Sequence, residues 1–205
     1  MDERRDLWAV ERACRAEGCD LICGCDEAGA GPLAGAVYAA AVILPFGLEL
    51  PGLDDSKKLT EKKREALFPV IQERAVAWAV ARAEPEEIDA MDILSARLLA
   101  MQRAMDALNV QPDLALIDGN RDRGRHAAIT TPHRLLVKGD SLSASIAAAS
   151  ILAKVSRDRY MAEMAQMYPQ YEFERHKGYP TRRHYELLER YGPCPIHRRS
   201  FLEKL

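Results

Sequence analysis

Apolar positions along the chain switch between two periods, and the switches mark out its elements. Residues 2–17 repeat their apolar side chains at helical spacing, with Asp2 near the start and Gly18 just past the end, and predict an amphipathic helix. LICGCDE (21–27) is a short apolar run of the kind a buried strand makes, and AVYAAAVIL (36–44), after a glycine turn, is another. A loop with Pro45, Gly47, Pro51 and Gly52 leads to a helix opened by Thr60 and running through EKKREALF toward Ala75. Pro69 lies inside that pattern and predicts a kink or a split. VAWAVARAE (76–84) alternates as a third strand. Pro85 suits the first turn of a helix whose apolar positions Ile88, Met91, Leu94, Leu98, Met101 and Met105 keep their spacing to about Leu108.

A fourth strand, LALI (114–117), and a fifth, RLLVK (134–138), flank the polar segment NRDRGRHAAITTPH. SLSASIAAASILAKVSRDRYMAEMAQMY (141–168) predicts a long helix with a small-residue face, stopped by Pro169, and TRRHYELLERY (181–191) a last helix before a basic tail. Three strands early and two later, separated by helices, give an α/β fold with a mixed sheet.

The length of 205 residues suits one domain, residues 1–205, with a small C-terminal helical extension over about 169–205. The charged N-terminus has no apolar leader core, and no run of about 18 apolar residues exists to cross a membrane, so the expected location is cytoplasmic. The five cysteines, Cys14, Cys19, Cys23, Cys25 and Cys194, are odd in number and expected to be reduced. No second ligand pair follows Cys19–Cys25 to make a zinc site. Cys23 and Cys25 alternate along a predicted strand, where cysteine packs as a small hydrophobe.

Net charge is −2, but unevenly spread: residues 154–205 hold eleven Lys/Arg against seven Asp/Glu, a local +4. Lys57, Lys58, Lys62, Lys63 and Arg64 form a second basic cluster. Each alone reads as a solvated face, whereas two such clusters with interleaved tyrosines favour a phosphate-backbone partner.

Three apolar strands end in acid beside glycine: ICGCDEAG, LALIDGN and LLVKGDS. One Asp-Gly after a strand is ordinary turn chemistry. Three in one sheet collect Asp26, Glu27, Asp118 and Asp140 where α/β sheets build their sites, an arrangement that repels itself unless a cation neutralises it. Hard oxygen ligands without Cys or His select Mg²⁺ or Mn²⁺, and four carboxylates can hold two such ions for displacement at a phosphodiester. GAGPLAG (29–35) lacks the GK[ST] of a P-loop. Its loose dinucleotide-binding spacing is followed by Pro32 and a strand rather than by the helix that motif needs.

DEAGAGPLAGAV, DDSKKL, LIDGN, KGDSLSASIAAASILAKVSRD and HKGYPT occur in the order and approximate spacing of bacterial ribonuclease HII, and the chain resembles that family over about residues 20 to 201. The resemblance implies a ribonuclease H-like fold, a central five-stranded mixed sheet flanked by helices. It further implies a monomeric endonuclease for ribonucleotide excision repair, acting on RNA–DNA hybrids and ribonucleotide-containing duplex DNA. Such an enzyme cuts 5′ of the ribonucleotide and leaves 3′-hydroxyl and 5′-phosphate ends. By motif, Asp26, Glu27, Asp118 and Asp140 are the metal-binding catalytic carboxylates, and Gly29, Ala30 and Gly31 read the 2′-hydroxyl, largely through the main chain. Tyr179 packs on the sugar at the RNA-to-DNA junction, Lys57 meets backbone phosphate, and His176 and Lys177 either approach phosphate or shape the turn. Asp158 is a secondary candidate, more simply a salt-bridge partner. The family pattern is Gly-Arg-Gly, whereas this chain has Ala30 in the middle; the arginine's phosphate contact is missing, and reduced activity is expected. Two other readings stay open: a metal-dependent nuclease of this fold acting on other nucleic acids, and a non-catalytic nucleic-acid binder.

Overall fold

A computed structural model describes residues 6–203. Strands β1 (Ile22–Ala28), β2 (Val37–Ile43), β3 (Ala77–Ala83), β4 (Leu114–Asp118) and β5 (His133–Leu136) form one sheet in the order β3-β2-β1-β4-β5. β1/β2 and β2/β3 pair antiparallel, while β1/β4 and β4/β5 are parallel, so the sheet is mixed as expected. β2 is buried along its whole length. Its Val37, Ala39, Ala41 and Ile43 face one apolar cluster with α4 (Ile93–Asp106), and Ala40 and Val42 face another with α2 (Glu61–Arg74) and α5 (Ala144–Met167). The sheet is therefore sandwiched between helical layers. Beyond α5, the short α6 (Phe173–His176), α7 (Arg182–Tyr191) and α8 (Arg199–Leu202) follow, and Tyr171, Phe173, Leu187 and Ile196 form a further apolar cluster with Ala34, Tyr38 and Met161. Among the described residues no helix is long and apolar enough to cross a membrane, and all five cysteines are free.

Three expected elements differ. The first helix, α1, covers Ala9–Ala16; residues 2–5 of the expected span lie outside the described residues. α2 runs unbroken through Pro69, which lies on the exposed side of the helix, where an unpaired carbonyl is free to meet water. The helix expected over 85–108 is two, α3 (Pro85–Met91) and α4. Asp92 between them takes φ 142°, and its carboxylate accepts from Ser95 N and Oγ, both at 2.8 Å, to cap the second.

α5 lies directly on β1. A Cβ at Gly24 would stand 2.0 Å from the Ser145 carbonyl carbon and 2.2 Å from Ile146 N, so only glycine permits this approach. Buried Glu11 of α1 accepts from Ser143 Oγ at 2.6 Å and Ser145 N at 3.1 Å, placing a carboxylate at the positive end of α5.

Candidate active site

β1 and β4 are parallel neighbours with Cys25 opposite Ile117, which brings Asp26 and Asp118 side by side one residue on. After β5 the chain turns through Lys138, with φ 59°, into a 3-10 turn, Gly139–Ser141, that delivers Asp140 to the same sheet end at the foot of α5. Each of Asp26, Asp118 and Asp140 contributes one carboxylate oxygen to a group lying within 4.8 Å of one another. Main-chain amides fix two of them: Glu27 N donates to Asp26 Oδ1 and Gly139 N to Asp118 Oδ1, both at 2.7 Å. Burial, then the Glu27 and Asp118 charges, push the Asp26 carboxyl well above its ordinary value, and burial with Asp118 and Asp55 raises Asp140. Clustered, mutually repelling hard oxygens, with Asp26 and Asp140 buried and Asp118 partly so, fit a divalent cation of the Mg²⁺ or Mn²⁺ kind.

Glu27 is not in that group. Its Oε1 pairs with Arg97 of α4 at 2.6 Å, and Leu94, Arg97, Asn120 and Arg121 line a cleft there. Burial raises Glu27 although Arg97 opposes it. Arg97 sits on an apolar helix stripe and gave no sequence signal. Lys57 Nζ stands 3.7 Å from Asp140 Oδ2; partial burial works against its charge, but Asp26, Asp140, Asp55 and Asp118 outweigh it and raise its pKa. Asp158 pairs with Lys154 at 2.7 Å and Arg64 at 3.9 Å, the structural alternative for that residue.

Gly29, Ala30 and Gly31 follow β1 and lie over two buried arginines. A Cβ on Gly29, which has φ 97°, would overlap the Arg157 side chain at 2.0 Å, and the same guanidinium lies 5.6 Å from the Tyr179 ring centroid. The Gly-rich turn and Tyr179 thus flank one side chain. Tyr179 is 40% exposed, while Lys177 is half-buried and gives its carbonyl to Arg157 at 3.0 Å.

His176 is buried with both ring nitrogens engaged, Nδ1 accepting from Gly178 N at 3.2 Å and Nε2 reaching Tyr171 O at 2.8 Å. It shapes the turn and has no free nitrogen for phosphate. Beside it, a chain of neutral rings follows a single donor order. Cys194 N donates to His197 Nδ1 at 2.9 Å, His197 Nε2 and His184 Nε2 share a bond of 3.0 Å, and His184 Nδ1 donates to Tyr179 O at 3.0 Å. Burial lowers both His184 and His197 to about 4. The unfolded chain protonates these rings first, so their stabilising contribution is complete above about pH 6.5 and is lost as pH falls toward 4. The melting temperature is expected to fall over that window while neither ring resonance titrates above pH 5. A ring titrating near 6.5 contradicts the donor order.

The ribonuclease HII family model matches residues 23–204. A ribonuclease HII of Idiomarina loihiensis is 55% identical over 181 residues, covering 88% of this chain and 95% of that protein. Among solved structures, the ribonuclease H2 of Pyrococcus horikoshii superposes with a TM-score of 0.73 at 26% identity, covering 88% of this chain and 93% of its own. The ribonuclease HII of Archaeoglobus fulgidus, solved as a complex with PCNA, gives 0.68 at 24%, covering 87% and 94%. With three carboxylates gathered at the end of a five-stranded mixed sheet and a match spanning nearly its whole length, the chain belongs to the ribonuclease HII family, and is a nuclease of ribonuclease H type.

Proposed function

We propose that the protein, acting as a monomeric single-domain enzyme, hydrolyses the phosphodiester 5′ of ribonucleotides embedded in duplex DNA and within RNA–DNA hybrids, leaving 3′-hydroxyl and 5′-phosphate ends. The observation that carries this reading is the convergence of Asp26, Asp118 and Asp140 at one sheet end. Bound there, Mg²⁺ or Mn²⁺ would activate water and neutralise charge developing on the phosphate. Asp26, Asp118 and Asp140 would hold the ion, and Glu27, paired with Arg97 in this structure, would be the fourth carboxylate of the set. Lys57 offers a cation to the phosphate next to Asp140. Gly29, Ala30 and Gly31 read the ribose 2′-hydroxyl through the main chain, Tyr179 packs on the following deoxyribose, and Lys177 borders the backbone. Ala30 in place of the family arginine forgoes one phosphate contact. Two duplexes of one sequence, with and without a single ribonucleotide, incubated with and without Mg²⁺, test the reading. Cleavage of the all-DNA duplex, or equal cleavage without metal, refutes it.

The half-exposed Tyr179 ring gives a second expected result. Packing of an aromatic face on a sugar is apolar, so Tyr179→Phe should retain most activity and Tyr179→Ala lose about 10-fold or more, as for a lost stacking contact. The loss should be greater for a single embedded ribonucleotide than for a long hybrid; equal losses on the two substrates would reduce Tyr179 to a packing residue.

A further inference from the structure

Arg198 is completely buried, and every N–H of its guanidinium meets a carbonyl of the Gly-rich turn. Nε donates to Gly35 O at 2.9 Å, Nη1 to Ala30 O at 2.9 Å and Pro32 O at 2.8 Å, and Nη2 to Gly29 O at 2.6 Å and Gly35 O at 2.7 Å. Its own backbone N–H donates to Leu33 O at 2.8 Å. Burial, then Arg157, lowers its pKa to about 9, so it remains a cation at neutral pH. A buried charge normally has a charged partner; among the described residues Arg198 forms no ion pair, and main-chain dipoles take that place.

The geometry points to Arg198 as the positioning residue that aims the main chain of Gly29–Gly31 at substrate. A planar trans peptide carries its N–H opposite its C=O. Drawing the carbonyls of Gly29 and Ala30 inward to one guanidinium therefore turns the N–H groups of Ala30 and Gly31 outward. Neither N–H has a hydrogen-bond partner among the described residues, and both lie on the turn that follows Asp26 and Glu27. The cation beneath polarises both peptides in the sense that strengthens the outward donors, making a small concavity for a hydroxyl or phosphate oxygen. Lysine would supply only three N–H groups for five carbonyl contacts and lacks the planar fork.

This inference rests on the proposed reading of ribose by the turn. The test compares binding of the ribonucleotide-containing and all-DNA duplexes by the full chain carrying Asp118→Asn, so that substrate survives. Adding Arg198→Lys should lower the affinity ratio by about tenfold, the size of one hydrogen bond lost, with all-DNA affinity unchanged. An unchanged ratio overturns the inference, whereas a parent that never distinguished the duplexes refutes the proposed function instead. A second measurement needs no substitution at Arg198: in the Asp118→Asn parent, the Ala30 and Gly31 amide protons should move downfield with the ribonucleotide duplex and not with DNA. Amides that respond to both duplexes alike, or to neither, overturn it.

Discussion

Asp118→Asn is expected to abolish cleavage while leaving the fold standing. Losing a ligand to a catalytic cation removes several kcal/mol of transition-state stabilisation, about a 10³-fold loss of rate or more. The side chain keeps its shape, and an asparagine oxygen can still accept the Gly139 amide that Asp118 holds at 2.7 Å. Stability without metal should hold or rise. After burial, Asp118 is among the charges that raise Asp26, Glu27 and Asp140. A carboxyl raised in the folded state contributes stability fully below its unfolded pKa and loses it as pH rises through the folded one. The metal-free protein is thus burdened by this cluster at neutral pH, and the variant less so. Mg²⁺ should raise the melting temperature of the parent protein more than that of the variant. Cleavage at near the parent rate, or a metal-free variant melting well below the parent, would remove Asp118 from the site.

Gly24→Ala should have the largest effect on stability. The added methyl meets main-chain atoms of Ser145 and Ile146 at 2.0–2.4 Å, and main chain at the centre of a fold cannot swing aside. Overpacking costs typically 1–3 kcal/mol, and this backbone clash belongs at or beyond the top of that range. A loss of about 3 kcal/mol corresponds to a melting temperature lower by roughly 6–12 °C in a protein of this size. Activity should fall as well, because the helix pushed off β1 is the one whose foot carries Asp140. Gly31→Ala is the control, since a methyl there meets nothing within 4 Å; comparable melting of the two variants would refute the close approach.

The sheet and its acidic end were legible because strand periodicity and an Asp-Gly stop are local signals. Asp26, Asp118 and Asp140 could be placed together before any contact was known. What stayed hidden depends on partners distant in the chain. Arg198 looked like part of a solvated basic tail, yet it is wholly buried, because the carbonyls that satisfy it lie more than 160 residues away. Glu27 was grouped with the aspartates, but its direction is set by Arg97 on another element. The helix break at Asp92 was masked by apolar spacing that continues across it, since periodicity does not register a single residue at φ 142°.

The order of strands in the sheet also bears on how the protein comes to life as a catalyst. The antiparallel meander β1-β2-β3 joins segments adjacent in the chain and can form early, but it contains only Asp26 and Glu27. The parallel pairing of Ile22 with Leu114 spans the whole first half of the molecule and must await closure of a long loop. Until that closure the Asp26, Asp118 and Asp140 carboxylates are not held together. On the proposed reading of the site, gathering the carboxylates thus depends on a long-range contact of the class that forms slowly, and a chain lacking that closure is expected to be inactive.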